Sequence, residues 1–456
     1  MTNRQAPSGH NRRDALLRLL FGSGYVGLRA LATGIPAGIL LDPRRLLGAD
    51  GGADAPGGGA TGPLPSKPQF LIFSTSSAGD PVNCNAPGTY DDPNIGHPAD
   101  PSMAAAPLTL GGTTVNAAQV WSTLPAAVLA RTCFFHHGTY TVIHPDEGKV
   151  LRMMGAVAGG EMIPSWLARE LAPALGTVRA QPISVSGNAT EAIYYQGAPQ
   201  ALLTPTTLSS VLASPANGLG SVDLVKLRDQ GLDALNAFAR SQGGVAQRNF
   251  IDQYATSGAQ LRTLQDGLLA SLSTIKNNSA DSQIQAAIIL FQMRVTPAVV
   301  VNVGFGGDNH GDPGLAGEIT GHQNGVATLA TMMQALSDAG LLDQVTFAMT
   351  NVFGRTMIAA QSGNGRQHNE SHHVSLLMGA GIKGSVVGGV APSAPGKEYA
   401  ATAIASVTGK SSSGGDIPFA ATFGAMGKTL AAAVGIPAET IAKNVLTGAV
   451  VAAALA

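Results

Sequence analysis

"PAVVVNVGFGGDNHGDPG", Pro297 to Gly314, joins an apolar β-branched run to a glycine-rich polar loop. The apolar run "PAVVVNVGF" has the composition of a buried strand, and the glycines that follow punctuate a turn. A strand that ends this way fits a sheet whose ligand-binding loops gather at the carboxyl ends of its strands. The loop carries Asp308, His310 and Asp312. Asp308 and His310 are two residues apart, so they point the same way in extended backbone and could hold one ion together. The same aspartates, with Asn309, can instead make Asx turns, and a histidine at such a junction can simply satisfy backbone groups. No segment carries a specific metal signature such as HExxH.

Outward from this stretch, further β-rich runs are "QFLIFSTS" (69–76), "RTCFFHH" (131–137), "AQPISVSG" (180–187), "QVTFAMTNVF" (344–353) and "HVSLLMG" (373–379). Helical stretches such as "GEMIPSWLARELAPAL" and "GVATLATMMQALSDAGLL" lie between most of them. This alternation predicts an α/β fold, a mostly parallel sheet flanked by helices. From about 220 to 294 the alternation gives way to successive helical segments, read as a helical insertion. There Leu261, Leu264, Leu268, Leu272 and Ile275 form an amphipathic stripe, and "NNSADS" (277–282) marks a capped break.

The chain has 456 residues, a net charge of −1 and only 12% charged residues, about half the usual share. With no basic patch or stripe, nucleic acid is not an expected partner. A surface so poor in charge leans toward a protein partner or an oligomer. Cys84 and Cys133, the two cysteines, could pair in an oxidising compartment or remain buried thiols. Neither belongs to a CxxC pair, which argues against a thiolate metal site.

At the N-terminus, Arg12-Arg13 precede a Gly/Ala-rich apolar segment, a pattern similar to a twin-arginine export signal over residues 1–45. The alternative is an amphipathic surface helix with solvated arginines. Arg18 and Arg29 interrupt the apolar run, so no integral membrane span is expected. "GADGGADAPGGGATGPLPSKP" reads as a linker over 46–67, leaving 68–456 as a single domain with its helical insertion. The expected location is periplasmic or secreted.

The ten histidines fall mostly into two groups, "FFHHGTYTVIHPDEG" with His136, His137 and His144, and a C-terminal group with His310, His322, His368, His372 and His373. Three segments, "VVNVGFGGDNHGD", "QVTFAMTNVFGRTMIAAQSGNGRQHN" and "LLMGAGIKGSVVGG", resemble in this order those of an exported bacterial family of unknown function, the domain-of-unknown-function 1501 family. That family is placed in the alkaline-phosphatase and sulfatase superfamily. The resemblance covers roughly 11–40 and 68–440 and is strongest over 300–390, with Phe353-Gly354-Arg355-Thr356 its most specific motif. It implies an alkaline-phosphatase-like α/β sheet with a metal-type pocket holding zinc, manganese or calcium.

Position by position, the resemblance implies metal ligands at Asp80, His144, Asp308, His310 and His368. Arg355 would clamp an anionic substrate or bond local carbonyls, and His372 would be a further binding residue. Three family positions have changed: Ile143 replaces Ser, Val352 replaces Glu and Gln367 replaces Asp. Isoleucine cannot attack an ester and valine cannot bind a metal. Thr139, Thr141, Ser371 or a water activated by the metal remain as substitutes for a nucleophile.

Two functions follow. In one, a degenerate Asp/His pocket binds a metal, ligand or partner complex without the usual hydrolase chemistry. In the other, the chain is a metal-dependent hydrolase of phosphate or sulfate esters. The changed residues support the first, and the retained Asp and His residues the second.

Overall fold

The computed structural model of the protein describes residues 68–456, apart from 178, 189–191, 214–221, 245–247, 249–250, 252–254, 256–270, 272–273, 359–363 and 395–397. Seven stretches pair into one sheet: β1 (Phe70–Ser76), β2 (Thr132–His137), β3 (Ile183–Ser184), β4 (Ala298–Val301), β5 (Val345–Asn351), β6 (His373–Met378) and β7 (Ser385–Val387). Their order across the sheet is β7-β2-β6-β5-β1-β4-β3. Every pairing is parallel except those of β6, which runs antiparallel to both β2 and β5. The fold is therefore α/β with a mixed, mostly parallel sheet.

All residues of β1 are buried, as they must be in a strand covered on both faces. Four helices matter for the site: α1 (Ile163–Leu175), α2 (Ala280–Gln292), α3 (Ala316–Asp338) and α4 (Thr422–Ala433). Pro164 opens α1, and Gly176 closes it in the left-handed region that glycine adopts without penalty. Ser279 caps α2, accepting the Ser282 backbone N–H at 3.4 Å, within the break expected at 277–282. Phe291 of α2 stacks on Phe70 of β1 with ring centroids 4.9 Å apart.

The residues divide into two compact units, one taking in Ala201–Ile275 and the other Gly59–Gln200 with Lys276–Ala456. The expected helical region thus contributes the helix Val222–Gln242 to the first unit and α2 to the second. Of the leucine stripe, Leu261, Leu264, Leu268 and Leu272 lie outside the described residues, as do the expected signal and linker. Among the described residues no helix is long and apolar enough to cross a membrane.

The strand directions decide where the site can form. β1, β2, β4 and β5 run the same way, so the loops after Ser76, His137, Val301 and Asn351 leave the sheet at one edge. Because β6 is reversed, its amino end reaches the same edge, and His373 pairs with His137. Segments as distant in sequence as 77–80, 138–146, 302–312, 353–355 and 364–372 meet there.

Candidate metal centre

His144, Asp308, His310 and His368 converge at this edge, each offering a ligand atom, and those atoms all lie within 4.8 Å of one another. His144 comes from the loop after β2, Asp308 and His310 from the loop after β4, and His368 from the segment leading into β6. The segment carrying His368 is tied to the stretch after β5 by the antiparallel pairing of Gly354–Arg355 with His368–Asn369.

Two of the rings are oriented from behind. His144 Nδ1–H donates to the Ser77 carbonyl at 2.6 Å, and His368 Nδ1–H donates to the Val142 carbonyl at 2.6 Å. These bonds place the Nδ1–H of both rings on backbone carbonyls and leave both Nε2 atoms facing inward. His310 Nε2 approaches His368 Nε2 to 2.7 Å. Two imidazole nitrogens that close need a proton or a cation between them. A zinc-type ion with bonds of about 2.0–2.1 Å in tetrahedral geometry sets such nitrogens about 3.3 Å apart, so the rings would open by about half an ångström. Phe353 stacks on His368 with ring centroids 4.1 Å apart and meets His144 edge-on at 4.8 Å, fixing both rings from the apolar side.

Asp308 is tied rather than free. Its Oδ1 accepts from Arg355 at 2.9 Å, while Oδ2 faces His144 Nε2 at 3.4 Å. Partial burial pushes this carboxyl up, but the Arg355 guanidinium pulls it net below the usual range. Burial and then the neighbouring charges hold His368 below its ordinary value, so it is neutral and ready to ligate. The donor set of three imidazoles and one carboxylate therefore fits a metal ion.

Arg355 bonds local carbonyls, and its Nη1 faces His310 Nε2 at 3.4 Å. It is buried, donating from Nε to the Gly79 carbonyl and from Nη2 to the Ala78 carbonyl at 2.7 Å as well as to Asp308. Its role is to position Asp308. Its own backbone is gripped by Asn83, whose Oδ1 accepts the Arg355 N–H at 2.8 Å and whose Nδ2 donates to the Arg355 carbonyl at 2.8 Å.

Asp80 stands outside the group of four. It is fully buried, and its Oδ1 accepts the backbone N–H groups of Phe305 and Gly307, so it fastens the loop that carries Asp308. Burial pushes its carboxyl above the usual range, against the pull of those amides. His372 also lies apart. Its Nε2–H donates to His136 Nδ1 at 2.9 Å, His136 Nε2–H donates to the Pro87 carbonyl at 2.8 Å, and Asn83 Nδ2 reaches His372 Nδ1 at 3.4 Å. That series is buried and neutral, pinned to the scaffold rather than facing a ligand.

The hydroxyls of the two candidate threonines are occupied in the same way. Thr141 donates to Asp146 at 2.7 Å, and Thr139 to the Glu370 carbonyl at 3.4 Å. Ser371 is half-buried, its backbone N–H bonded to Asn369. Ile143 is exposed, Val352 is buried and Gln367 is exposed. Cys84 and Cys133 are buried free thiols, and burial pushes the Cys133 thiol up to about 12.

Asn309 and Asp312 of the loop, with Glu318, Arg366 and Asn85, which the sequence did not single out, hold the loop in place. Glu318 and Arg366 form a buried ion pair, Nε to Oε2 at 2.7 Å and Nη2 to Oε1 at 3.0 Å. Asn309, between Asp308 and His310, donates to Glu318 at 3.0 Å, and Asn85 donates to it at 2.6 Å. Asp312 accepts the Gly317 and Glu318 N–H groups at 2.8 and 2.9 Å, anchoring the loop to the head of α3. Arg366 lies two residues before His368, in a segment read for its histidines. The signal that could have found Glu318 is an acid in the first turn of a helix.

Among curated proteins none matches the chain. Residues 226–405, which include Asp308, His310, Arg355 and His368, match a family model described as "Protein of unknown function (DUF1501)", and the chain is similar to that family over this span.

Proposed function

We propose that this protein holds one divalent transition-metal ion between His144, Asp308, His310 and His368, and uses it to bind a ligand or partner rather than to run two-metal ester hydrolysis. The observation that carries this is the convergence of three imidazoles and one carboxylate within 4.8 Å, two of the rings oriented by backbone carbonyls. Imidazole-rich sets suit zinc-type ions, whereas calcium takes six to eight oxygens. Three features speak against a covalent ester mechanism: Ile143 at the family's serine position, Val352 at its glutamate, and threonine hydroxyls already bonded elsewhere.

A second reading rests on one observation, that the Asp308 side chain is 48% exposed. A divalent ion there would be open to solvent on one side and could act as a Lewis acid on a phosphate or sulfate ester. The charge-poor composition and Arg12-Arg13 support the further proposal of an exported, alkaline-phosphatase-like protein that works in a complex outside the cytoplasm.

Equilibrium dialysis tests the proposal: zinc should be retained far better than calcium by the native chain, and Asp308→Asn should weaken retention. Equal loss of both ions would refute it. Turnover of aryl phosphates or sulfates by the zinc-loaded chain, abolished in His310→Ala, would establish the hydrolase reading instead.

A further inference from the structure

One face of the sheet carries a row of polar side chains with no use in the metal centre. Thr75 of β1 registers with Thr350 of β5, and Leu71 with Thr346. Ala348, between the two threonines of β5, pairs with Leu377 of β6, so Ser375 and His373 share this face by strand alternation. His373 in turn pairs with His137 of β2. α4 covers this face at His137, whose ring stacks on Phe423 at 4.7 Å. α2 lies across the sheet, against Phe70.

His137 and Ser375 satisfy each other, Ser375 Oγ donating to His137 Nε2 at 2.8 Å while His137 Nδ1–H goes to the Gly138 carbonyl. Their neighbours do not. The hydroxyls of Thr75, Thr346 and Thr350 and both ring nitrogens of His373 are buried with no hydrogen-bond partner among the described residues. Trp166 Nε1, on the α1 helix that packs on β1 and β4, is a further buried donor of this kind. Native proteins seldom leave buried hydroxyls, imidazoles and indoles unbonded, because each orphan forfeits its hydration with nothing in return. So many on one face would offset much of a domain's marginal stability.

We infer that ordered water lies buried at the carboxyl end of this face, bonded to Thr75, Thr350 and His373. The chemistry of the row selects water. Hydroxyls both donate and accept, and a neutral imidazole does one of each, so a small neutral molecule with both capacities fits. Burial, then the neighbouring histidines, keeps the His373 ring neutral far below its ordinary value, which leaves no charge to hold an ion. Adjacent strands lie about 4.8 Å apart, close enough for one water to bridge two neighbouring hydroxyls, and a buried water needs only two to four such partners. This water lies at the carboxyl edge of β5, where Thr75 registers with Thr350. It does not depend on the metal centre and survives the failure of that proposal.

A high-resolution crystal structure of the full chain tests it directly. Ordered waters are expected within hydrogen-bond distance of Thr350 Oγ1, Thr75 Oγ1 and a His373 nitrogen. Threonines bonded to one another or to backbone with no density between them would overturn the proposal, as would an ion or organic molecule in their place. The isosteric Thr350→Val supplies a second readout. Removing a water-bonded hydroxyl should lower Tm by about 2 °C, whereas removing a dry orphan should raise it, which would also overturn the proposal.

Discussion

Asn83 does for Arg355 what a neighbouring strand would do, taking both its N–H and its carbonyl, and its second amide proton reaches His372. Asn83→Ala should leave two buried backbone groups unpaired and lower unfolding free energy by about 2–4 kcal/mol, read from urea denaturation. Because Arg355 positions Asp308, the same variant should weaken zinc binding by about tenfold. A loss of stability with unchanged binding would separate Arg355 from the site. Arg366→Met should cost about 3–5 kcal/mol, since it strands the buried Glu318 carboxylate, and unfolding midpoints would show it. Neither Asn83 nor Glu318 was legible in the sequence. Asn83 sits in "GDPVNCN" and Glu318 in "GLAGEIT", and their roles depend on contacts across more than 40 residues of chain. The glycine-rich loop with Asp308 and His310 was legible, because its residue types and its place after a valine run are local properties.

Among the elements, β2 carries His136 and His137 into the core as neutral rings. Burial depresses both to about 4, opposed by the carbonyls of Pro87 and Gly138. Their unfolded value is near 6.5, so the unfolded chain takes up protons first as pH falls. Their stabilising contribution is whole above about pH 6.5 and is lost progressively down to about pH 4. At pH 5 each should have cost on the order of 1–2 kcal/mol. Urea titrations at pH 7 and pH 5 check this, and equal midpoints in wild type would contradict it. The head of α3 depends on Asp312, and Asp312→Ala should destabilise by about 1–2 kcal/mol, visible as a lowered unfolding midpoint. The long apolar strands were readable from composition. β3 was readable within "AQPISVSG", whereas β7, three residues long, gives too little pattern to register. The reversed direction of β6 leaves no trace in its residues, since chain connectivity sets it. The hairpin Ala105–Leu110 with Thr113–Ala118 did have a signal, Gly111-Gly112 between two alternating runs.

For the molecule as a whole, a mostly parallel sheet with one reversed strand brings the ligand-bearing loops to a single edge. His144 and His368 are 224 residues apart in sequence and meet there with ring centroids 4.7 Å apart. This is why spacing arguments could place Asp308 beside His310 but could not say which other residues join them. Asp80 and His372 have suitable chemistry and neighbouring positions, yet serve the scaffold. The central claim is that the four converging side chains form a single-metal site. Metal content of the full chain, purified without chelators beside His310→Ala, tests this most directly. The account predicts about one equivalent of a zinc-type ion in the wild type and its loss in the variant. Wild-type protein that takes up no metal even after incubation with zinc would contradict it.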